Sequence, residues 1–583
     1  MWSNFLKMGR TKAFNHKVSA TYDLPLRKIF LTDWITAQLT YSGNYNWEEA
    51  PRTVKGDSLG NVIQNSQNIQ LNTQLNLVNL YSKINYLKTI NQGKSNVARI
   101  KKERLKKLKE AEKKKGNKDW NKFTEDDIVL NEGLINLGDY ALRVLMSVRS
   151  INFNYSINNG TLLPGFNPRP QYVGNDWDQN APGIPFLLGW QNDIRPIAAQ
   201  NGWLTTDTTL NSLYMTNHSE NMVAQATLEP LKGLRINIDM DRRLTSGHQE
   251  VYRMMQDGTF QSLSPIDNGS FSMSFFSWPT ALSAKWNEKK TAAYQQFEDN
   301  RYTISQRLST SGAKDTFYWG YSKTSQQVII PAFIAAYTGK NASSIGTDLF
   351  PKTPGLNWRI SYTGLSNLEF LKDYIRNISI NHAYNSTYNI SNYSSSLEYN
   401  PNQVEEQGKD IIPKYRVQQI SFTEQLSPLI GIDISWANNW TTTFEYRTNR
   451  TVAFSFSNFQ TSEIRGKDFT IGVGYRAKEV KLPFKLNHKK AFLEHELTVR
   501  VDVSIKNNIS TIIKLDQGLI EQSTQDVGGS RVIAIKHTID YELSKNLKLK
   551  IFFNRNVNKP VISTSYPTAF TNIGFSLVYT LGQ

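Results

Sequence analysis

Few residues in this chain are of the kind that do covalent chemistry. It has no cysteine, which excludes disulfides, thiolate nucleophiles and thiol-metal sites. The seven histidines are scattered. His382 and His495 alternate in phase with apolar neighbours, which favours a hydrogen-bonded packing role over metal ligation. Asp176, Asp178 and Asn180 in DWDQNAPG have the spacing of the first ligands of a calcium loop. The central glycine and terminal glutamate of such a loop are missing, so the segment reads as a turn-rich loop. No phosphate-binding loop, nucleophile elbow, H-E-x-x-H or dinucleotide fingerprint occurs. The two glycines of IGVGYR (471–476) sit at strand spacing and relieve crowding rather than cradle phosphate. No constellation supports catalysis, a resident metal or a cofactor.

The formal charge is +17, from 67 Lys and Arg against 50 Asp and Glu. Such an excess can serve nucleic acid, an anionic membrane surface or one basic segment. Much of it is local: KKERLKKLKEAEKKK (101–115) holds eight Lys and one Arg against three Glu. Ile100, Leu105 and Leu108 give that segment a thin apolar stripe. With no aromatics interleaved, it reads as a solvated helix touching anionic lipid or an acidic partner, not as a nucleic-acid site. Aromatics make up 12% of the chain, as 27 Tyr, 28 Phe and 13 Trp. No apolar run reaches the roughly 18 residues of a spanning helix. A spanning barrel escapes that test, because half of each strand faces water.

What must position any function here is a sheet. In ITAQLTYSGNYNW (35–47), Ile35, Ala37, Leu39, Tyr41, Gly43, Tyr45 and Trp47 alternate with Thr36, Gln38, Thr40, Ser42, Asn44 and Asn46, giving one oily and one wet face. The pattern recurs at Leu234, Ile236, Ile238 and Met240 against Arg235, Asn237, Asp239 and Asp241. It continues through 356–362, 378–390, 432–456, 469–475, 493–503, 547–553 and 573–581. Roughly sixteen to nineteen strands are expected. Tight connections at 230–233, 438–439 and 545–546 predict hairpins, while 48–67, 158–219 and 393–414 predict long polar loops. Three stretches break the alternation: 94–122, 280–309 and 326–341, the last an apolar helix with Pro331 early and Gly339 at its end.

The oily face either meets a second sheet, as in a soluble β-sandwich, or meets lipid. Three features favour lipid. Many strands run about nine to thirteen residues, enough to cross a bilayer at a tilt near 45°. The wet face is dominated by uncharged Thr, Ser, Asn and Gln. Trp and Tyr collect near strand ends, as in an aromatic girdle. The predicted pore-lining residues are Thr36, Gln38, Thr40, Ser42, Asn44, Arg235, Asn237, Asp239 and Asp241. The predicted lipid-facing residues are Ile35, Leu39, Tyr41, Leu234, Ile236 and Ile238. The predicted girdle residues are Trp47, Trp436 and Trp440. The loop 159–190, rich in Pro, Gly and Trp, is a candidate cap or partner site at the outer rim. If short turns are periplasmic, the 94–122 helix is periplasmic too; beyond residue 279 the pattern does not fix which side a turn is on.

Long segments in order carry a family resemblance: NGTLLPGFNPRP (159–170), FEDNRYTISQRLS (297–309), YSKTSQQVIIPAFIAAYTGKN (321–341), the stretch 349–390, ISFTEQLSPLIGIDISWANNWTTTFEYRTNRT (420–451) and the end 554–583. The chain resembles the C-terminal part of the SprA/Sov family, the outer-membrane translocon of the type IX secretion system of Bacteroidota, linked to gliding motility. The resemblance implies a partial, C-terminal portion of a very large antiparallel transmembrane β-barrel with helical inserts, all-β in class. It implies passage of folded cargo proteins to the cell surface. It also implies outer-membrane lipid, a PorV-type shuttle, a Plug-type protein and periplasmic subunits as partners. Family members are several times longer and begin with a signal peptide. No such peptide is visible at the start of this chain, so a piece of a longer precursor is expected. The alternatives are a smaller porin-like or receptor barrel for solute uptake and a soluble β-sandwich adhesin. The expected organisation is strands and a surface loop over 1–93, a Lys-rich helical insert over 94–141, strands with the long loop over 142–278, a helical insert over 279–355, and strands over 356–583.

Overall fold

The computed structural model describes residues 11–50, 59–115, 122–282, 290–309, 319–478, 480–486, 489–493, 496–515, 524–544, 546–561 and 565–580. Its frame is one sixteen-stranded antiparallel sheet. In chain order the strands are β1 (Ala13–Asp23), β2 (Ile35–Glu48), β3 (Asn61–Asn76), β4 (Val148–Phe166), β5 (Tyr214–Leu231), β6 (Leu234–Met254), β7 (Phe260–Ser274), β8 (Asn357–Tyr362) and β9 (Ile375–Ser395). They continue with β10 (Tyr415–Trp436), β11 (Trp440–Ser455), β12 (Gln460–Ala477), β13 (Val480–Leu486), β14 (Lys489–Leu493), β15 (Leu497–Lys514), β16 (Thr524–Ser544), β17 (Leu547–Pro560) and β18 (Thr568–Tyr579). β13 and β14 form a hairpin of their own; the rest pair in sequence order as a meander.

β7 and β8 share one place in the meander. β7 pairs with the far half of β6, from Arg242 to Met254, and β8 with its near half, from Leu234 to Asp239. Both also pair with β9, again in two consecutive halves. They are one strand, broken where the chain leaves the sheet at 275 and re-enters at 357. The break is pinned shut. The Gly355 amide donates to the Ser274 carbonyl at 2.7 Å. The Ser274 hydroxyl donates to the Gly355 carbonyl at 2.8 Å and accepts from the Asp241 amide at 3.1 Å. Sixteen strands therefore fill fifteen positions. β1 and β18, each with one paired neighbour among the described residues, run in the same direction.

Most strands exceed the nine to thirteen residues expected: β6 and β9 have 21 and β10 has 22. Likewise the loop predicted at 158–219 shrinks to 167–213, and that at 48–67 ends where β3 begins at Asn61. The ladder extends because its far half is covered by the chain's own inserts, which protect extra rungs. The insert 167–213, carrying α5 (Ile184–Leu187) and α6 (Arg195–Gln200), packs Phe186, Leu187, Ile194 and Trp203 on Tyr45, Trp47, Ile63, Leu163 and Phe166. Gly43 is required beneath it, since a Cβ there would lie 1.9 Å from the Leu188 carbonyl oxygen.

The insert 275–356 carries α7 (Ala292–Leu308) and α8 (Gln326–Thr338). α8 is buried from Val328 to Thr338 and closes at Gly339 in the left-handed conformation (φ 69°). A helix apolar all round must be covered all round, and it packs between α7 and Phe271, Tyr388, Ile390, Phe422 and Phe454 of the sheet. At the opposite end, where the turns 232–233 and 437–439 lie, sit α1 (Leu77–Ser82), α2 (Asn85–Asn91), α3 (Val97–Lys114) and α4 (Glu132–Leu145). The helical segment thus begins at 77, ahead of the boundary at 94 expected from the Lys-rich composition.

Candidate functional site

The sheet has two chemically distinct faces, and the register assigns the paired strand residues to one or the other. Thr36 lies on a rung with Gln74, Asn152, Gln225 and Asp239. Gln38 lies on the next with Asn72, Asn154, Val223 and Asp241. Thr40, Ser42, Asn44, Arg235 and Asn237 share that face. It continues through Thr443, Gly472, Asp502 and Lys536, with Asp433 on the same rung. Side-chain hydrogen bonds cross-link it without burying it. The Gln38 amide donates to Asp23 at 2.7 Å, the Asn154 amide to Asn72 at 2.7 Å, and the Thr227 hydroxyl to Asn237 at 3.2 Å. Neither insert core packs on this face.

The opposite face divides along its height. Near the turn end it carries Ile35 on a rung with Leu75, Ile151, Ala226 and Ile238, and Leu39 with Leu71, Tyr155 and Met222. Ile236 pairs with Ile360 and Leu234 with Tyr362. Farther round come Phe444, Ile471, Val503 and Ile535, then Thr442, Val473, Val501, His537 and Phe553. This band is open to its surroundings: Leu39 is 41% exposed, Ile471 41% and Phe575 72%. Above it the same face disappears beneath the inserts.

Two site residues expected from the sequence fall in the covered half and are corrected. Trp47 is no girdle residue: it is 1% exposed, with its Nε1 donating to the Pro168 carbonyl at 3.2 Å. Tyr41 sits at the boundary, its hydroxyl donating to the Leu188 carbonyl at 2.7 Å. The insert closes over both because Gly43 lets the backbones touch. Trp436 and Trp440 lie at the turn-end edge of the band, where Trp440 packs on Tyr475 at 4.9 Å and Trp436 Nε1 donates to Thr442 at 3.0 Å. His382 Nδ1 contacts the Leu429 carbonyl at 2.7 Å; His495 lies outside the described residues. Asp176 heads a turn, accepting from the amides of Asp178 and Gln179. Among the described residues no cluster of three metal-ligating side chains occurs.

Sequence reading missed the upper edge of the band. Trp358 stacks on Tyr384 at 4.4 Å, and Trp278 joins them at 5.2 Å from Trp358, with Phe276 beside them. Three separate segments contribute, so no local pattern announces the cluster. Just above it the buried Arg450 guanidinium donates to Glu424 at 3.3 Å and to the Thr280 hydroxyl at 2.9 Å, while the Ser277 hydroxyl also donates to Glu424. Both charged side chains stand in phase with the apolar Phe422 and Val452, a signal that was present in the sequence. In the insert 167–213, Arg195 grips Asp193 through Nε and Nη2, both at 2.9 Å. Burial raises the Asp193 carboxyl, but the Arg195 hydrogen bonds and charge outweigh it and hold the group below its usual range.

No family model and no curated protein matches the chain. Among solved structures it is similar to the ferripyoverdine receptor of the outer membrane of Pseudomonas aeruginosa, at 7% identity over 98% of this chain and 58% of that one (TM-score 0.27). It is also similar to the ferric-catecholate import receptor Fiu of Escherichia coli K12, at 5% identity over 94% and 64% (TM-score 0.27). A third is the RagAB peptide transporter, at 8% identity over 92% and 51% (TM-score 0.25). The chain spans less than two thirds of the length of each.

Proposed function

We propose that this sheet is part of the wall of a wide, polar-lined channel in an outer membrane, a conduit rather than an enzyme. The exposed apolar band meets lipid, the Asn-, Thr- and Gln-rich face meets an aqueous lumen, and the aromatic clusters of Trp440 with Tyr475 and of Trp278 with Trp358 mark the two interfaces. One observation carries the reading furthest: among the described residues, fifteen positions end in two edge strands with one paired neighbour each, running in the same direction. In lipid each edge must be paired, and antiparallel pairing of both requires an odd number of further strands. The wall therefore belongs to a larger barrel. A lumen walled by more than fifteen strands and lined mainly by amides and hydroxyls, with scattered charges such as Asp241, Asp502 and Lys536, suits folded protein cargo, as the SprA/Sov resemblance implies. On that resemblance, the partners are a PorV-type shuttle, a Plug-type protein and periplasmic subunits.

A second reading, a self-contained uptake barrel, is favoured by strand number alone, since barrels of about sixteen strands already enclose aqueous channels. It requires β1 and β18 to meet as a parallel pair. The absence of native cysteine makes the test clean. Cysteines placed at Lys17, Ser19 or Thr21 are combined with one at Phe570, Asn572 or Gly574 and oxidised in isolated outer membranes. A disulfide needs Cα atoms within about 7 Å, so any intrachain bridge overturns the larger barrel. The expected result is no intrachain bridge, while each edge cysteine reacts with an aqueous thiol reagent, as its place on the lumen face requires.

A further inference from the structure

α4 is built inside out. Its inward side carries Asp139, 8% exposed, which accepts hydrogen bonds from the Tyr86 hydroxyl (2.8 Å), the Asn96 amide (2.9 Å) and the Asn96 side chain (3.1 Å). On the same side the Ser95 hydroxyl donates to Asn136. Its outward side is a stripe at helical spacing: Leu134 (69% exposed), Leu137 (69%), Tyr140 (64%), Val144 (52%) and Leu145 (76%). A helix bathed in water would turn these faces the other way. Exposed apolar surface of this extent marks contact with something apolar.

Three further features say what that is. Leu145 lies three residues before Val148, where β4 begins; three peptide steps hold them within about 11 Å. The apolar band resumes there with Ile151 and Phe153. The turn between β1 and β2 presents Ile29, Phe30 and Leu31 at 55%, 78% and 75% exposure. Lys83 fastens this turn to the helices, with its ammonium 4.4 Å from the Phe30 ring centroid and 2.6 Å from Asp33. Beside α4, joined to it by Lys101 to Glu132 at 2.7 Å, runs the Lys-rich α3, which buries no residue of its own.

We propose that the helices over 77–145 form a foot that lies on the inner leaflet of the same bilayer, with the Leu134–Leu145 stripe sunk into the headgroup–acyl boundary and α3 held against anionic headgroups. An interfacial helix of this composition places its apolar side about 5–10 Å into that boundary. The inference rests on the membrane reading above, and its test separates the two. Single cysteines are introduced as Leu137→Cys and, in the band, Val501→Cys, and labelled with a fluorophore. The barrel is purified with the strands that pair the β1 and β18 edges and reconstituted into vesicles of phosphatidylcholine with phosphatidylglycerol.

The expected result is that lipid spin-labelled high on the acyl chain quenches the label at 137 by about half, while aqueous iodide does not quench it. Omitting phosphatidylglycerol weakens that quenching, as does replacing Lys102, Lys106 and Lys107 with Gln. Iodide quenching at 137 with lipid quenching at 501 overturns the foot, leaves the membrane reading intact and assigns the stripe to a protein partner. Absence of lipid quenching at both positions overturns both. A repeat at Leu134→Cys guards against a local effect of either substitution.

Discussion

The sharpest consequence of the two-faced sheet concerns one pair of substitutions on β15. From Leu497 to Ile505 the band on this strand spans nine residues, about 27 Å along the strand and about 20 Å along the membrane normal at a tilt near 45°. Val501 is its midpoint and stands between Val473 and His537, 38% exposed. Ser504, three residues on, faces the other side between Thr470 and Ala534. An arginine at mid-bilayer costs about 2–4 kcal/mol, whereas on a lumen face it costs little. Were water on both sides, each exposed substitution would fall within about 0.5 kcal/mol. Val501→Arg is therefore expected to lower the stability of the complete barrel in vesicles by about 2–4 kcal/mol, and Ser504→Arg by well under half of that. Urea titration followed by the mobility difference between folded and unfolded barrel on gels reads both. Equal midpoints for the two variants would refute the assignment of lipid to the apolar band.

Three other outcomes follow from the covered half of the sheet. Ser274→Ala removes the hydroxyl that bridges Asp241 and Gly355 at a fully buried site; a loss of about 1–3 kcal/mol is expected, seen as faster protease cutting within 275–356. Arg450→Ala strands the buried Glu424 and is expected to cost about 3–5 kcal/mol, while the double Arg450→Leu, Glu424→Leu variant recovers most of it; no recovery would mean the charges do more than neutralise each other. The Asp193 carboxyl is held below its usual range in the folded state, so its contribution is complete above the unfolded value near pH 3.9 and fades as pH falls through the folded value. Proteolysis of the insert 167–213 should therefore rise only below about pH 4, and Asp193→Asn should weaken that dependence, Asp207, held low by its hydrogen bonds from Thr209, keeping part of it.

Alternation made the sheet legible, because side chains on a strand change sides at every residue whatever lies beyond them. It assigned Thr36, Gln38, Asp239 and Asp241 to one face, and the register places all four on two adjoining rungs. Alternation does not tell what covers a face. Lipid and a folded insert both select apolar residues, so Leu39 and Trp47 look alike in sequence, yet the first is open and the second sealed. The charged Glu424 and Arg450 were the local hint that the upper half is protein-covered, since a lone charge in phase with Phe422 is tolerable only with a partner. The broken strand was illegible for another reason: Ser274 and Asn357 are far apart in the chain, and only tertiary pairing shows them to be successive steps of one ladder.

That broken strand makes the wall modular. Everything from 275 to 356 hangs from a single seam whose two lips already touch, so its size is decoupled from the geometry of the sheet. This appendage can lengthen away from the seam and from α8 without shifting a neighbouring strand.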